Sequence, residues 1–493
     1  MGLSIWEGDK AGAVADNLSE ISAHLSVMAK AMGEDSTGAI KSHKMTQLFV
    51  RAGTIGKYLA TGEGYKVAKE SGVSVTVNGS ATATVNEETF IAKVGHADTY
   101  GYEFIYDGAA WHLEGEEAEM TQYGITVGGS PAEGDVIVVH VQGSEIVFDI
   151  LGTNDYDVPV NSELTHTLPL ISRDILSYGT IAFKPAQLMK AIASDEFPEG
   201  LPAGTHYFVC DHACYDNTTK QDGSYNFTTT QPVPVGGGIR HSEIGKYYGS
   251  SADYTTAKIL AGTFTTYDAD GNVIESGLAT SSGASGTNLG TVTAETPSYM
   301  SGSHLNSTRR QMYGSNRGAF SNQKDWLNSS AAGAASGQVA SWYQKHTEFD
   351  LPVKSTLPGF MHGLDPEFVS VLCPVRKRTY LHAWDQDGLA YEDTEETIFQ
   401  LSMTEVGFGA NSNVYECGVK ADGTVNKAEA YPLFKDASNA DRIKYEGSTA
   451  RYWFLRSPSP SRANHVRHVS TAGALSSDHA RNTNGVVAGL CIG

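Results

Sequence analysis

The order of apolar and polar positions divides the chain into three regions. Val14, Leu18, Ile21, Leu25, Met28 and Met32 recur at alternating spacings of four and three, the seam of a heptad helix. Asp16 and Asn17 are candidate caps near its start, and Gly33 stops it. A helix this short is marginal alone and should pack on a partner. Residues 1–69 therefore predict either an assembly segment, which trimerises the chain or docks it to a larger particle, or an amphipathic helix lying on its own domain.

Residues 70–150 change to a period of two. Val73, Val75 and Val77 alternate with small polar residues, the pattern of a half-buried strand. "YGYEFIYDGAAWHL" predicts a hairpin turning at Asp107–Gly108, with Trp111 on the return strand. Gly128–Gly129 and Pro131–Gly134 mark turns before "DVIVVHV". The expectation is a small β-sandwich or barrel.

"LGTNDYDVPV" (151–160) reads as a linker into a larger region, 151–493. There Leu188, Met189 and Ile192 share a helical face. "STRRQMYGSNRG" with "DWLNSSA" predicts a second helix and its turn, and "LPGFMHGLDPEFVSVLCPV" a short helix between Pro-Gly and Asp-Pro breaks. "TYLHAW" and "ETIFQLSMTEV" read as strands. "ATSSGASGTNLG" (279–290) has no apolar period and predicts an exposed loop. The fold class expected for the whole chain is α+β. No fixed-period repeat is visible.

Composition narrows the function. The formal charge is −21, with Asp and Glu at 56 against 35 Lys and Arg. No basic stripe is present to hold phosphates, so nucleic acid is excluded as a partner, as is an anionic membrane surface. No apolar run is long enough to insert in a membrane, and no charged-then-apolar leader begins the chain. The product should be made in a cytoplasm.

Candidate chemistry is sparse. Five scattered cysteines do not make a disulfide framework. Cys210 and Cys214 flank His212, but a zinc site lacks a second ligand pair, so partly buried thiols are expected. His465 and His468 form H-x-x-H, yet in a strand such a pair points to opposite faces. Asp385, Asp387, Glu392, Asp393, Glu395 and Glu396 include a D-x-D-G fragment without the spacing of an EF-hand. A solvated acidic loop is expected there, with calcium left open. No phosphate-cradling glycine loop and no Ser/His/Asp signature is found.

The last stretch is the most specific. Tyr452–Trp453–Phe454–Leu455–Arg456–Ser457–Pro458, Val466 to Val469, Gly473, and Gly485 through Ile492 follow one another. This order resembles the end of the formylglycine-generating-enzyme-like branch of C-type-lectin-type domains. The likeness covers roughly 300 residues and departs at Phe454, an extra residue that leaves the strand register open. That resemblance implies a lectin-type domain over 151–493. The enzymes of that branch use a pair of active cysteines, whereas Cys417 and Cys491 are far apart in this sequence. A protein that is not an enzyme is expected.

The texture also resembles the variable proteins of diversity-generating retroelements, in which asparagine codons near the gene's 3′ end are miscopied at adenines. The resemblance implies a variable region at about 452–486. Its frame would be Pro460, Ala463, Val466, Val469, Gly473, Ala474, Leu475 and Ala480. Its outward, ligand-binding residues would be Ser459, Arg462, Asn464, His465, His468, Ser470, Ser476, Ser477, Asp478, His479, Arg481, Asn482 and Thr483. Trp453, Tyr452 and Arg456 would be support, with Arg456 on a buried acid or on carbonyls.

The β-module of 70–150 resembles spacers of phage tail and capsid accessory proteins. Together the likenesses imply a bacteriophage receptor-binding protein: a virion component, at a tail fibre or tip, that attaches to the host. It would be a homotrimer joined to other virion proteins through its N-terminal region. The ligand would be a host cell-surface protein or glycan, and the scarcity of aromatics in the variable run leans towards protein. The alternative is a structural collar or head-decoration protein.

Overall fold

The computed structural model describes residues 167–211, 222–246, 262–292, 305–364, 369 and 372–492, with shorter stretches between 73 and 161. The heptad seam from Val14 to Met32 lies outside the described residues. Among those described, strand makes up 36 % and helix 10 %. The α-helices there are Thr308–Tyr313, Asn322–Leu327 and Pro432–Lys435, none longer than six residues. The expected α+β class is therefore overturned: this is a predominantly β chain of several small, mostly antiparallel sheets.

The physical reason shows at Leu188, Met189 and Ile192. All three are buried, but the chain there is not helical: Leu188 N–H donates to the Phe349 carbonyl, and Lys190–Ala191 pairs with Gly238–His241. Apolar residues at helical spacing arise here because the segment is covered on more than one side. The expected 279–290 loop is also corrected. Ser281–Ser282 and Thr287–Val292 are strands, the latter parallel to Gly204–Cys210. Neighbouring chain, not apolar periodicity, supplies their hydrogen bonds.

Turn chemistry was a better guide. Gly101–Tyr106 pairs with Trp111–Leu113 across Asp107–Gly108. Asp107 accepts from the N–H groups of Ala109 and Ala110, and Gly108 takes φ 98°, the left-handed region that glycine enters without cost. Val73–Val77 is a strand paired with Ile125–Gly129.

Two core layers meet at the final strand. Gly489–Ile492 lies between Ile398–Phe399 and Leu168–Ser172, with Phe148–Ile150 beyond. Leu490 and Ile492 face one apolar cluster with Leu170, Trp326 and Leu327. Cys491 faces another, with Phe399, Trp453, Leu455 and Val469. Each buried aliphatic of this size stabilises the fold by roughly 1.5–3 kcal/mol.

The 151–160 stretch is no linker. Leu151 and Asp157 are buried and Pro159 bridges to Val375. Lys377 donates to Asp157, to Glu405 at 3.1 Å and to the Tyr431 hydroxyl at 2.6 Å. Charges this deep persist only when paired and hydrogen-bonded.

Candidate functional site

The candidate face is a three-stranded antiparallel sheet, Trp453–Pro458, His465–Val469 and Leu475–His479, in that order. Trp453, Val469 and Leu475 share one side and pack into the large core; Phe454 and Val466 turn to the other, against Phe183 and Ala480. The register shifts between Phe454 and Pro458.

Arg456 anchors the first strand. It is buried, pairs with Glu405, and donates to the carbonyls of Gln400 at 2.8 Å, Glu416 at 3.0 Å and Arg378 at 3.2 Å. The expected pairing with a buried acid and with carbonyls is present. Burial alone would raise Glu405, but Arg456 and Lys377 hold it down at about 2. Burial lifts Glu416 to about 7, against the Ser457 hydroxyl and the Arg456 charge. With Glu416 protonated, two cations (Lys377, Arg456) meet two carboxylates (Asp157, Glu405).

The 459–465 loop hangs on residues that pattern reading passed over. Asn316 Nδ2 donates to the carbonyls of Arg462 at 2.9 Å, His465 at 3.0 Å and Ser459 at 3.3 Å. Arg310 Nε donates to the Ala463 carbonyl at 3.1 Å while its other nitrogens hold Asp385. The Thr308–Tyr313 helix thus clamps the loop from behind. The nearest signal in sequence was the polar run after the helix, "GSNR", which marks a turn without naming its target.

Outward and inward positions separate along the hairpin. Arg462, Ser476 and Arg481 are exposed; Ser470, Ser477, Asp478, His479, Asn482 and Thr483 are half-buried. The frame residues Ala463, Val466, Val469 and Ala480 are fully buried. Gly473 has φ +77°, and a Cβ there would collide with the Asn439 carbonyl oxygen. Pro460, Ala474 and Leu475 are half-buried.

Four residues expected outward are buried instead: Ser459, Asn464, His465 and His468. Ser459 N–H donates to the His465 carbonyl, closing the loop. Asn464 Nδ2 donates to His479 Nδ1 at 2.9 Å. His465 meets His479 edge-on at 4.5 Å, and burial, His479 and Arg462 together hold it neutral down to about pH 3. His468 sits edge-on to Tyr452 and Phe454, its titration lowered by burial. The H-x-x-H pair therefore diverges, as strand geometry requires. Tyr452, expected as support, is 42 % exposed.

Residues 298–492 match the family model of a domain of unknown function, DUF6273. The matched span includes the clamping helix, the buried arginine and the whole hairpin. No curated protein and no solved structure matches the chain.

The acidic run from Asp385 to Glu396 is corrected from a loop to a structured element. Tyr391–Glu396 is a strand opposite Val375–Tyr380. Asp393 pairs with Arg378 and Glu395 with Arg376 across it; Asp385 holds Arg310 and Glu392 holds Arg317. Arginines occupy four of the six carboxylates a calcium ion would draw on. Among the described residues no group of three or more His, Cys, Asp or Glu is placed to hold a metal. Cys210 is disulfide-bonded, not a thiol, while Cys373, Cys417 and Cys491 are free and buried. A cleft of about 310 Å³ is lined in part by Asp325, His346 and Glu396. His346 Nε2 lies 2.9 Å from Asp325 and its ring stacks on Phe320, but among the described residues no serine or cysteine lines the cleft. No helix of the described residues is long and apolar enough to cross a membrane.

Proposed function

We propose that this protein is a bacteriophage receptor-binding protein, a virion component that attaches to the host through a retroelement-diversified surface. The observation that carries the reading is the segregation on the terminal hairpin. Arg462, Ser476 and Arg481 point to solvent while Ala463, Val466, Val469 and Ala480 are fully buried beneath them. Substitution at exposed positions typically changes stability by no more than about 0.5 kcal/mol. Such a face changes its chemistry without refolding, as antibody loops do on their sandwich. Binding without turnover, a host protein or glycan as ligand, attachment to other virion proteins through the N-terminal region and trimeric avidity all follow from this reading.

The buried positions narrow the display. Ser459, Asn464, His465 and His468 are buried and support the surface, so diversity tolerated there should be narrower than at the exposed positions. Deep sequencing of the gene's 3′ end in a growing viral population tests the proposal. Changes at adenines in codons 462, 470, 476–479 and 481–483, with codons 463, 466, 469 and 473 constant, support it. An invariant 3′ end removes the reason to assign host attachment to this face.

A further inference from the structure

The charge on the hairpin face runs against that of the chain. The protein carries −21 overall, yet residues 452–486 hold Arg456, Arg462, Arg467 and Arg481 against Asp478 alone among acids. Arg456 is neutralised inside by Glu405. Seven described arginines, Arg456 among them, reach a carboxylate oxygen at 3.0 Å or less. Arg462, Arg467 and Arg481 do not, in a chain where acids outnumber bases.

Arg462 and Arg481 converge on His479. Arg462 Nη1 lies 3.4 Å from His465 Nε2, and the Arg481 guanidinium lies 4.7 Å from the Tyr313 ring centre. Arg309, Arg462 and Arg481 all act electrostatically on His479. Arg467 is half-buried, and its Nε is enclosed without a hydrogen-bond partner. Arg481 Nη1 donates to the Met312 carbonyl at 3.2 Å, but neither it nor Arg462 meets a carboxylate, so each guanidinium keeps its charge and free donors for an external carboxylate, phosphate or sulfate.

Resting on the receptor-binding reading, we infer that this face takes an acidic polysaccharide of the host surface, seated between Arg462 and Arg481. No large hydrophobic residue is exposed within 459–483; Tyr452 borders the face. Protein hot spots are built chiefly from Trp, Tyr and Arg packed in desolvated pockets; the run has arginines but no exposed aromatic to form such a pocket. A polymer with one anion per repeat needs only charge, hydrogen bonds and an aromatic edge. The leaning towards a protein ligand, drawn from the scarcity of aromatics, is thereby reversed: the same scarcity removes the anchors a protein would need.

The test uses the full chain against immobilised polygalacturonate, dextran and polyaspartate, alongside adsorption to whole bacterial cells. Polygalacturonate should bind and dextran should not, with affinity falling about tenfold between 50 and 200 mM salt as ion pairs are screened. Arg462→Gln with Arg481→Gln should weaken that binding at least tenfold while the chain still melts cooperatively, and Arg462→Gln alone, at an exposed position, should weaken it with the melting temperature unchanged; the Lys replacements should retain part of it. No binding to polygalacturonate, or equal binding by the Gln variant, overturns the inference. Stronger binding to polyaspartate overturns it in favour of an acidic peptide. Cell adsorption that survives in the Gln variant sinks the inference and spares the receptor reading. Polymer binding without adsorption to any cell does the reverse.

Discussion

Tyr313 and His479 stack with ring centroids 4.0 Å apart and planes 16° from parallel. The tyrosine ends the clamping helix and the histidine ends the last strand of the hairpin, so this contact ties the proposed binding face to the scaffold. Tyr313 is 5 % exposed. Tyr313→Ala should cost about 3 kcal/mol in denaturant unfolding, whereas Tyr313→Phe should cost little. Equal midpoints for the alanine variant and the parent would remove the clamp from the account.

Asn316 serves three carbonyls of the 459–465 loop with one amide nitrogen. Asn316→Ala leaves them without that donor, at a cost of about 2 kcal/mol. Hydrogen exchange should report faster opening of residues 459–465 while the 489–492 strand keeps its protection. Uniform acceleration across both would mean that Asn316 supports the whole domain and not the loop.

Glu416 makes stability depend on pH with a definite sign. Its carboxyl ionises near 7 when folded against 4.5 ordinarily, so the folded chain holds the proton more tightly. Its contribution is fully present below about pH 4.5 and is lost as pH rises through 7, about 3 kcal/mol in all. His465, held neutral down to about 3, works the other way: its contribution is present above about 6.5 and is lost as pH falls towards 3. Glu416→Gln should raise the melting temperature at pH 8 and leave it nearly unchanged at pH 4.5. Parallel melting profiles for the two proteins would show that Glu416 is ionised throughout.

Gly473 and Ser476 should respond oppositely to the same small side chain. Gly473→Ala puts a Cβ into the Asn439 carbonyl at a positive φ and should cost more than about 1 kcal/mol. Ser476→Ala, at an exposed strand position, should stay within about 0.5 kcal/mol. A thermal melt of each decides. A tolerant Gly473 would mean that the turn is free to move.

What could be read from the sequence was what is local. Asp107–Gly108 places its hairpin because the carboxylate and the left-handed glycine act within three residues. Val466 and Val469 were expected as frame, and Trp453 as support, from the resemblance; the structure buries all three, Val466 on one face of the sheet and Trp453 and Val469 on the other. Asp157 was misread as linker because its partners, Lys377 and Tyr431, lie more than 200 residues away. Asn316 and Tyr313 were hidden because their partners on the hairpin lie more than 140 residues on, and Asn464 and His468 turn inward onto residues of the hairpin itself, His479, Tyr452 and Phe454. Polar residues look outward in a sequence until their hydrogen-bond partners are known. The α+β expectation failed similarly: Leu188, Met189 and Ile192 show helical spacing, but other parts of the chain take their backbone bonds.

The Gly489–Ile492 strand, lodged between Ile398–Phe399 and Leu168–Ser172, has a consequence for any gene whose 3′ end is rewritten. A copying error that shifts the frame or inserts a stop within codons 459–483 deletes the strand that both core layers need. Such a product cannot complete its fold, so defective copies should be cleared by the cell's proteases before assembly. If the proposed diversification holds, the sheet acts as a proofreader of the message, passing only those variants translated through to their end.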